Sequence, residues 1–408
     1  MKVLIITYFF PPLNSIASLR LYSWAKYFAE EGIDVTVLTP KKYKFENDLE
    51  LPFNNFKVVE IPIPKPFKLI SFGKLINFLN RKYQLGIYYK VRFPDETIRW
   101  VKPAFDFAKQ NEWDVVISSA LPYTVHEVAW KLKKNGNCKL WVADWRDLFS
   151  ENPIFTGIPL FKNIEKNIEK KYNNEADLVI TVSEGLKNYW VKTTNKPVKI
   201  IYNGFFEEDY QKNGNYNPSD VISIFYAGSF YKEWLIDYFF ESLGYLREQG
   251  YDNFKLVVAG AFDIKEKVKN LRVPYEYKGF IKREEVIKLY FESDFLLFPL
   301  EQEKDLPNWK GILTGKIYEY LAVNLFTNKP IIIVGQTFDK ERQEILEKSG
   351  CCIFLKNQQE TINFFENYFK TKKVNINPNH EFIKFFSRKN QAQRLLGFIK
   401  EMLEWKKS

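Results

Sequence analysis

Short apolar runs alternate along this chain with stretches whose apolar residues recur every three or four positions, the pattern of buried parallel strands separated by amphipathic helices. Residues 2–7 (KVLIIT) predict a strand and FFPPLNSIAS a loop, while Leu19, Leu21, Trp24, Ala25 and Phe28 fall on one face of a helix. Gly32 suits the end of that helix, and a strand at 34–38 completes a βαβ unit. Further strands are predicted at 57–61, 114–118, 139–143 and 177–181, between helices near 97–110, 124–135, 158–174 and 184–193.

The rhythm breaks at 202–220, YNGFFEEDYQKNGNYNPSD, whose Gly, Asn, Pro and charged residues mark a linker. It then restarts with strands at 222–227, 254–258, 274–278, 294–298, 330–334 and 351–355. The intervening helices lie near 233–249, 263–270, 282–291, 314–323, 338–348 and 358–369. Two doubly wound α/β domains are therefore expected, 1–203 and 204–379. A last helix at 380–405, within a C-terminal segment 380–408, is expected to pack back on the first domain.

A chain of 408 residues with 46% hydrophobic and 17% aromatic residues can bury two such cores. Its three cysteines have neither metal-ligand spacing nor the density of a disulfide scaffold, which fits a reducing compartment. With two histidines no metal site is expected, although carboxylates can hold magnesium. The opening MKVLIITYFFPP does not read as a signal peptide, and no apolar run reaches the roughly 18–20 residues that span a bilayer. The expected location is the cytoplasm. A net charge of +10 favours an anionic partner: nucleic acid, an acidic membrane or a phosphorylated substrate. No stretch carries a nucleic-acid recognition motif, so that partner is not expected.

Residues 62–95 mix Lys and Arg with Phe, Leu, Ile and Tyr over a length long for a connection. They read either as a basic amphipathic anchor on an anionic membrane surface, at the inner face of the cell membrane, or as a helical hairpin packed on the sheet.

Candidate chemistry belongs in the loops beyond the carboxyl ends of the strands. Thr314 and Gly315 open a helix whose free N–H groups, positive dipole end and Lys316 form an anion seat, and Glu319 lies one turn on, placed for hydroxyl groups. The competing reading is a capped helix with Lys316 and Glu319 in solvent. AGSFYKE places Gly228 and Ser229 at a strand end with Lys232 at the next helix start, a second phosphate clamp. Gly260 and Gly279 recur at the same topological position. In the first domain, Asn14 and Ser15 can cap a helix and free N–H groups for a phosphate, with Arg20 either beside them or solvated. His126 is either a structural histidine or a polar group facing substrate. Arg146 stands between Asp144 and Asp147, near Glu151, as a local ion pair or to position a sugar or pyrophosphate. GxGxxG and GxxxxGK[ST] are absent, and no Ser-His-Asp or Cys-His set is evident.

These blocks resemble the retaining glycosyltransferases of family 4. MKVLIITYFFPP with GIDVTVLTP resembles the family's N-terminal βαβ unit, and PDETIRWVKPAFDFAK, WDVVISSALPYTVHEVAWKLKK, WVADWRDLF, EADLVITVSEGLKNYW and KIIYNGF all resemble its bacterial polysaccharide branch. GKIYEYLA resembles the donor-binding helix whose Glu holds the nucleotide ribose. The resemblance implies a GT-B fold, two facing Rossmann-like domains with an interdomain cleft, acceptor in the first and donor in the second. It places Glu319 at the ribose, Thr314, Gly315 and Lys316 at the diphosphate, and Lys232 at a phosphate-contacting basic position. Asn14 and Ser15, with Gly228 and Ser229, line the donor, the backbone at Phe280 and Ile281 meets the base, and His126 falls near the transferred sugar. Two departures stand out. The family has a second Glu eight positions before the ribose Glu, where this chain has Gly311, and AVNLFTNKP is longer than the usual turn.

The activity so implied is a hexosyl transfer (EC 2.4) without metal or other cofactor. The sugar passes with retention from a UDP- or GDP-linked donor to a lipid-linked or saccharide acceptor, for cell-surface polysaccharide. A non-catalytic relative that binds a nucleotide sugar or glycan is the alternative.

Overall fold

A computed structural model describes residues 1–42, 49–64, 95, 97–152, 159–211, 220–228, 236–261, 263–300, 311, 313–337 and 339–406. Ser229, Lys232 and the 62–95 segment apart from 62–64 and Asp95 lie outside the described residues. The chain divides into two compact units, Met1–Asn203 with Gln391–Ser408, and Gly204–Asn390.

The strands of the first unit are β1 (Lys2–Thr7), β2 (Asp34–Pro40), β3 (Lys57–Ile61), β4 (Trp113–Ala120), β5 (Cys138–Trp145), β6 (Leu178–Thr181) and β7 (Val198–Ile200). Those of the second are β8 (Ile222–Ala227), β9 (Phe254–Ala259), β10 (Tyr275–Tyr277), β11 (Phe295–Pro299), β12 (Ile331–Val334) and β13 (Cys352–Leu355). Around the first sheet run α1 (Ile16–Glu30), α2 (Ile98–Ala108), α3 (Thr124–Lys134), α4 (Lys162–Glu175) and α5 (Glu184–Trp190). The rest are α6 (Asp237–Glu248), α7 (Lys265–Lys269), α8 (Arg283–Glu292), α9 (Gly315–Val323), α10 (Lys340–Lys348), α11 (Gln358–Thr371), α12 (His380–Phe385) and α13 (Arg388–Trp405).

Every strand pairing is parallel, in the orders β3-β2-β1-β4-β5-β6-β7 and β10-β9-β8-β11-β12-β13. Central strands covered on both faces need continuous apolar runs, and Val3, Leu4, Ile5 and Ile6 are wholly buried. Trp100, Trp113, Trp141, Trp145 and Trp190 fill the first core, and Phe239, Phe240, Leu243, Phe295 and Phe365 the second. Each such side chain contributes about 2–3 kcal/mol by leaving water. Helix starts follow their capping residues: Ser15, Ser183, Asp339, Asn357 and Asn379 each accept from a backbone N–H in the first turn. No helix among the described residues is long and apolar enough to cross a membrane.

All the predicted strands are present, their ends shifted by a residue or two, and β7 is additional. The single helix expected at 380–405 is two helices. Phe205 forms a parallel bridge with Ser387 and accepts the Arg388 N–H at 2.8 Å, and this draws the backbone out of helix between Phe385 and Arg388. From Gln391 onward α13 belongs to the first unit.

Candidate functional site

Both sheets change winding direction beside their first strand, at β1/β4 and β8/β11, and open α/β sheets take ligands beyond the strand ends at such points. In the second unit β8 runs into Gly228 (φ +144°) and β9 into Gly260 (φ +156°). A Cβ on Gly260 would stand 2.1 Å from the Gly228 carbonyl oxygen. A Cβ on Gly228 would stand 2.2 Å from Cε and 2.3 Å from Nζ of Lys316. The two strand ends therefore touch, and the Lys316 side chain lies directly on them, its ammonium 5.3 Å from the centre of the Tyr226 ring. Burial pushes the Lys316 pKa down, with Glu319 opposing the shift. An ammonium so shielded from water attracts an anion more strongly than a solvated one.

Helix α9 starts as the sequence predicts, with Thr314 extended at its N-cap and Gly315 as its first residue. The Thr314 hydroxyl is buried with no hydrogen-bond partner among the described residues. The first N–H groups of the helix and its positive end thus share one place with the Lys316 ammonium.

Glu319 is not a solvated carboxylate. Arg283 Nη1 donates to Oε1 at 2.5 Å and the Tyr290 hydroxyl to Oε2 at 3.1 Å, both from α8. Arg283 also donates from Nε and Nη2 to Asp209 Oδ2, at 3.3 and 3.2 Å. Burial alone would raise the Glu319 pKa, but Arg283 and Tyr290 outweigh it and hold the carboxylate below its ordinary range. Arg283 opens its helix in the exposed-looking run KREE, which gave no sign that it reaches a carboxylate 36 residues on.

Beside these groups, Gly260 N–H donates to Gly279 O at 2.8 Å, which pins the loop carrying Phe280 and Ile281. Phe280 is 64% exposed and offers a free ring face, while Ile281 is half-buried. Both family departures have local causes. Gly311 has φ +88° and donates its N–H to Asp339 Oδ2 at 2.6 Å, so the backbone there requires glycine and the position carries no carboxylate. In AVNLFTNKP, Asn324 Oδ1 accepts the Lys329 N–H and Asn324 Nδ2 donates to Lys329 O, both at 2.9 Å. The Lys329 ammonium then donates to Phe291 O and Ser293 O, capping the end of α8.

In the first unit the expected residues separate. Asn14 is exposed, and Ser15 caps α1 by accepting the Ser18 N–H at 3.0 Å. Arg20 is neither solvated nor open to a phosphate: it is 1% exposed and forks onto Asp144, Nη2 to Oδ1 at 2.9 Å and Nε to Oδ2 at 3.2 Å. Its Nη1 donates to Ile201 O and Tyr202 O. Asp144, wholly buried, also accepts from the Ser119 hydroxyl at 2.6 Å, so it is a structural ion-pair partner and not a sugar ligand. Arg146 lies within the reach of the Asp147 and Asp144 charges, but its hydrogen bonds go elsewhere. It donates to Ser119 Oγ and Leu121 O, both at 3.1 Å, with its guanidinium 5.1 Å from the Phe9 ring. Glu151 pairs with Lys162 and Lys166.

His126 is fully enclosed. Trp141 Nε1 donates to Ser118 Oγ at 2.8 Å, and the Ser118 hydroxyl shares a 2.7 Å hydrogen bond with His126 Nδ1 whose donor is set by the imidazole tautomer. The ring packs 4.3 Å from that of Trp145, and Nε2 is buried without a hydrogen-bond partner among the described residues. Burial, with the Arg146 charge adding to it, pushes the imidazole pKa down to about 3. A neutral, sealed ring has no atom to offer a sugar, which corrects the expectation placed on it. Among the described residues no group of three His, Cys, Asp or Glu side chains is placed to hold a metal ion.

Residues 17–208 match the model of Glycosyltransferase Family 4. No curated protein matches the chain by sequence. Among solved structures, a glycosyltransferase from Rickettsia africae ESF-5 is 15% identical with a TM-score of 0.62, covering 98% of each chain. Sucrose-phosphate synthase from Thermosynechococcus elongatus is 13% identical with a TM-score of 0.60, covering 99% of this chain and 97% of its own. Anabaena HepE, solved with UDP and glucose, is 13% identical with a TM-score of 0.59, covering 98% of this chain and 100% of its own. The family match fills nearly all of Met1–Asn203 and the structural likeness runs the length of both units, so the chain has the GT-B fold of these glycosyltransferases, and its first unit matches the family 4 model.

Proposed function

We propose that the protein transfers a sugar, with retention of configuration, from a UDP- or GDP-linked donor to a lipid-linked or saccharide acceptor in cell-surface polysaccharide synthesis. The second unit binds the donor and the first the acceptor. One observation carries this reading: the shielded Lys316 ammonium rests on the Gly228 strand end at the start of α9, with Glu319 held one turn away. That is a seat for a diphosphate with a carboxylate for ribose hydroxyls alongside. The exposed Phe280 ring supports a place for the base, and HepE, of the same fold, was solved with UDP and glucose.

In this reading Lys316, Lys232 and the N-terminus of α9 stabilise the negative charge that develops on the leaving diphosphate as the glycosidic bond breaks. The protein supplies no nucleophile, and the acceptor hydroxyl attacks from the face the diphosphate leaves, passing its proton to the departing diphosphate oxygen. Titration with UDP and GDP, followed by a transfer and donor-hydrolysis assay, tests it. Lys316→Ala and Glu319→Ala should each weaken nucleotide binding by about tenfold or more, the loss of one charge-assisted contact. Unchanged affinity and rate in both variants would sink the assignment.

Gly311 motivates a second reading, a non-catalytic binder of nucleotide sugar, because the position carries no carboxylate for the transferred sugar. Nucleotide binding with neither transfer nor donor hydrolysis selects it. Attachment to anionic membranes through 62–95 is a separate proposal, resting on the basic-aromatic composition of that stretch. Flotation with anionic liposomes that survives neutralisation of Lys68, Lys74, Arg81 and Lys82 rejects it.

A further inference from the structure

Arg283 stands between two carboxylates of the second unit. Its Nε–Nη2 edge faces Asp209, in the 3-10 turn Glu207–Asp209 just inside that unit, and its Nη1 faces Glu319 on α9. Arg283 and Glu319 are about one-fifth exposed, so the carboxylate is reachable but its partners are largely out of water. Two turns along α8, Tyr290 takes the other Glu319 oxygen, so one helix fixes both oxygens of the group. Each carboxylate oxygen accepts more than one hydrogen bond, and these partners leave lone pairs open. A planar guanidinium presents each carboxylate with its own edge in a fixed geometry, which a lysine ammonium does not reproduce.

We infer that Arg283 is the positioning residue of the donor site: clamped from behind by Asp209, it fixes the Glu319 carboxylate in one orientation for the paired hydroxyls of the donor's ribose. The inference rests on the donor-site reading above. Arg283 acts through Glu319 and touches no reacting atom.

Among the described residues, the charged groups facing Glu319 are Arg283 from α8, Arg388 at the start of α13 and Lys316 on its own helix, with Asp209 behind Arg283. The hydroxyls of Tyr290, Tyr210 and Tyr320 complete its surroundings. Removing Arg283 leaves burial as the dominant influence, so Glu319 then takes up a proton at higher pH than in the wild type.

The test is titration of the full chain with UDP and with GDP from pH 5 to 8, for wild type, Arg283→Met, Arg283→Lys and Asp209→Asn. The nucleotide's own ionisation is common to all four and cancels in the comparison. Arg283→Met should bind the preferred nucleotide at least about tenfold more weakly. Its affinity should also fall on acidification from a higher pH than that of wild type. Arg283→Lys should recover part of the affinity, and Asp209→Asn should show a smaller loss in the same direction. A weakening that is equal at every pH, or no weakening, overturns the inference and marks Arg283 as a structural ion pair. If Arg283→Met does not fold, Arg283→Lys and Asp209→Asn decide by the same criteria. Failure of the wild type to bind either nucleotide overturns the donor-site reading itself, and the inference with it.

Discussion

Lys316 occupies the space that a side chain on Gly228 would need, with its Cε 2.2 Å and Nζ 2.3 Å from the position of that absent Cβ. Gly228→Ala therefore acts on the ammonium first, because the end of a lysine is the part that can move. The variant should fold, at a cost of about 1–3 kcal/mol for alanine at φ +144°. Lys316 should be displaced, and UDP or GDP affinity should drop about as far as in Lys316→Ala. Calorimetric titration checks this, and retention of full affinity would show that the lysine's place on the strand end is immaterial.

Gly260 makes the matching experiment with the opposite outcome. Its missing Cβ would meet the Gly228 carbonyl oxygen at 2.1 Å, and the Gly228 backbone, whose N–H donates to Ala259 O at 2.7 Å, cannot step aside as a side-chain end can. Both glycines share the conformational strain, so the difference between them isolates the clash. Gly260→Ala should cost about 1–3 kcal/mol beyond Gly228→Ala, the range of overpacking. Urea unfolding monitored in parallel for the two variants measures it, and equal midpoints would disprove the close approach.

Most of the fold was legible because parallel strands buried on both faces must be apolar throughout, as in KVLIIT or PIIIV, and helices must show an apolar stripe. What escaped depends on distant partners. The three residues of β7 include an exposed Lys199 and carry too short a run to register. The break after Phe385 exists only because Phe205, far off in sequence, bridges Ser387. The same limit divides the site residues. The helix start at Thr314, Gly315 and Lys316 was readable, since a cap and its following turn are local. The partners of Asp144, 124 residues away in Arg20, and of Glu319 in Arg283 were not, because charge pairing leaves no periodic trace.

The Arg20–Asp144 pair sets up a stability prediction distinct from any effect on catalysis. Both groups are shielded from water, and Arg20 also satisfies the carbonyls of Ile201 and Tyr202 at the end of the first unit's main segment. Arg20→Met strands the Asp144 carboxylate in a buried site and should cost about 3–5 kcal/mol. The double variant Arg20→Met with Asp144→Leu should recover much of that, since no charge is left uncompensated. Urea denaturation of the single and double variants completes the cycle, and strictly additive costs would mean the two residues do not act as a pair.

His126 makes stability depend on pH in a direction that follows from its burial. Its folded-state pKa, about 3, lies below the ordinary value of 6.5. Above pH 6.5 the imidazole is neutral whether the chain is folded or not, and the group adds no pH dependence. Between 6.5 and 3 the unfolded chain takes up a proton that the folded chain refuses, so stability falls as the pH falls, by about 1.4 kcal/mol per pH unit from this group. The loss ends once the pH passes below the folded value. His126→Gln keeps an amide that can donate to or accept from Ser118 and removes the titration, so its stability should decline less steeply than wild type from pH 6.5 to 4.5. The difference should reach about 2–3 kcal/mol at the acid end. Urea midpoints at half-unit pH steps resolve a gap of that size, and parallel profiles for the two proteins would show that the ring is open to solvent protons after all.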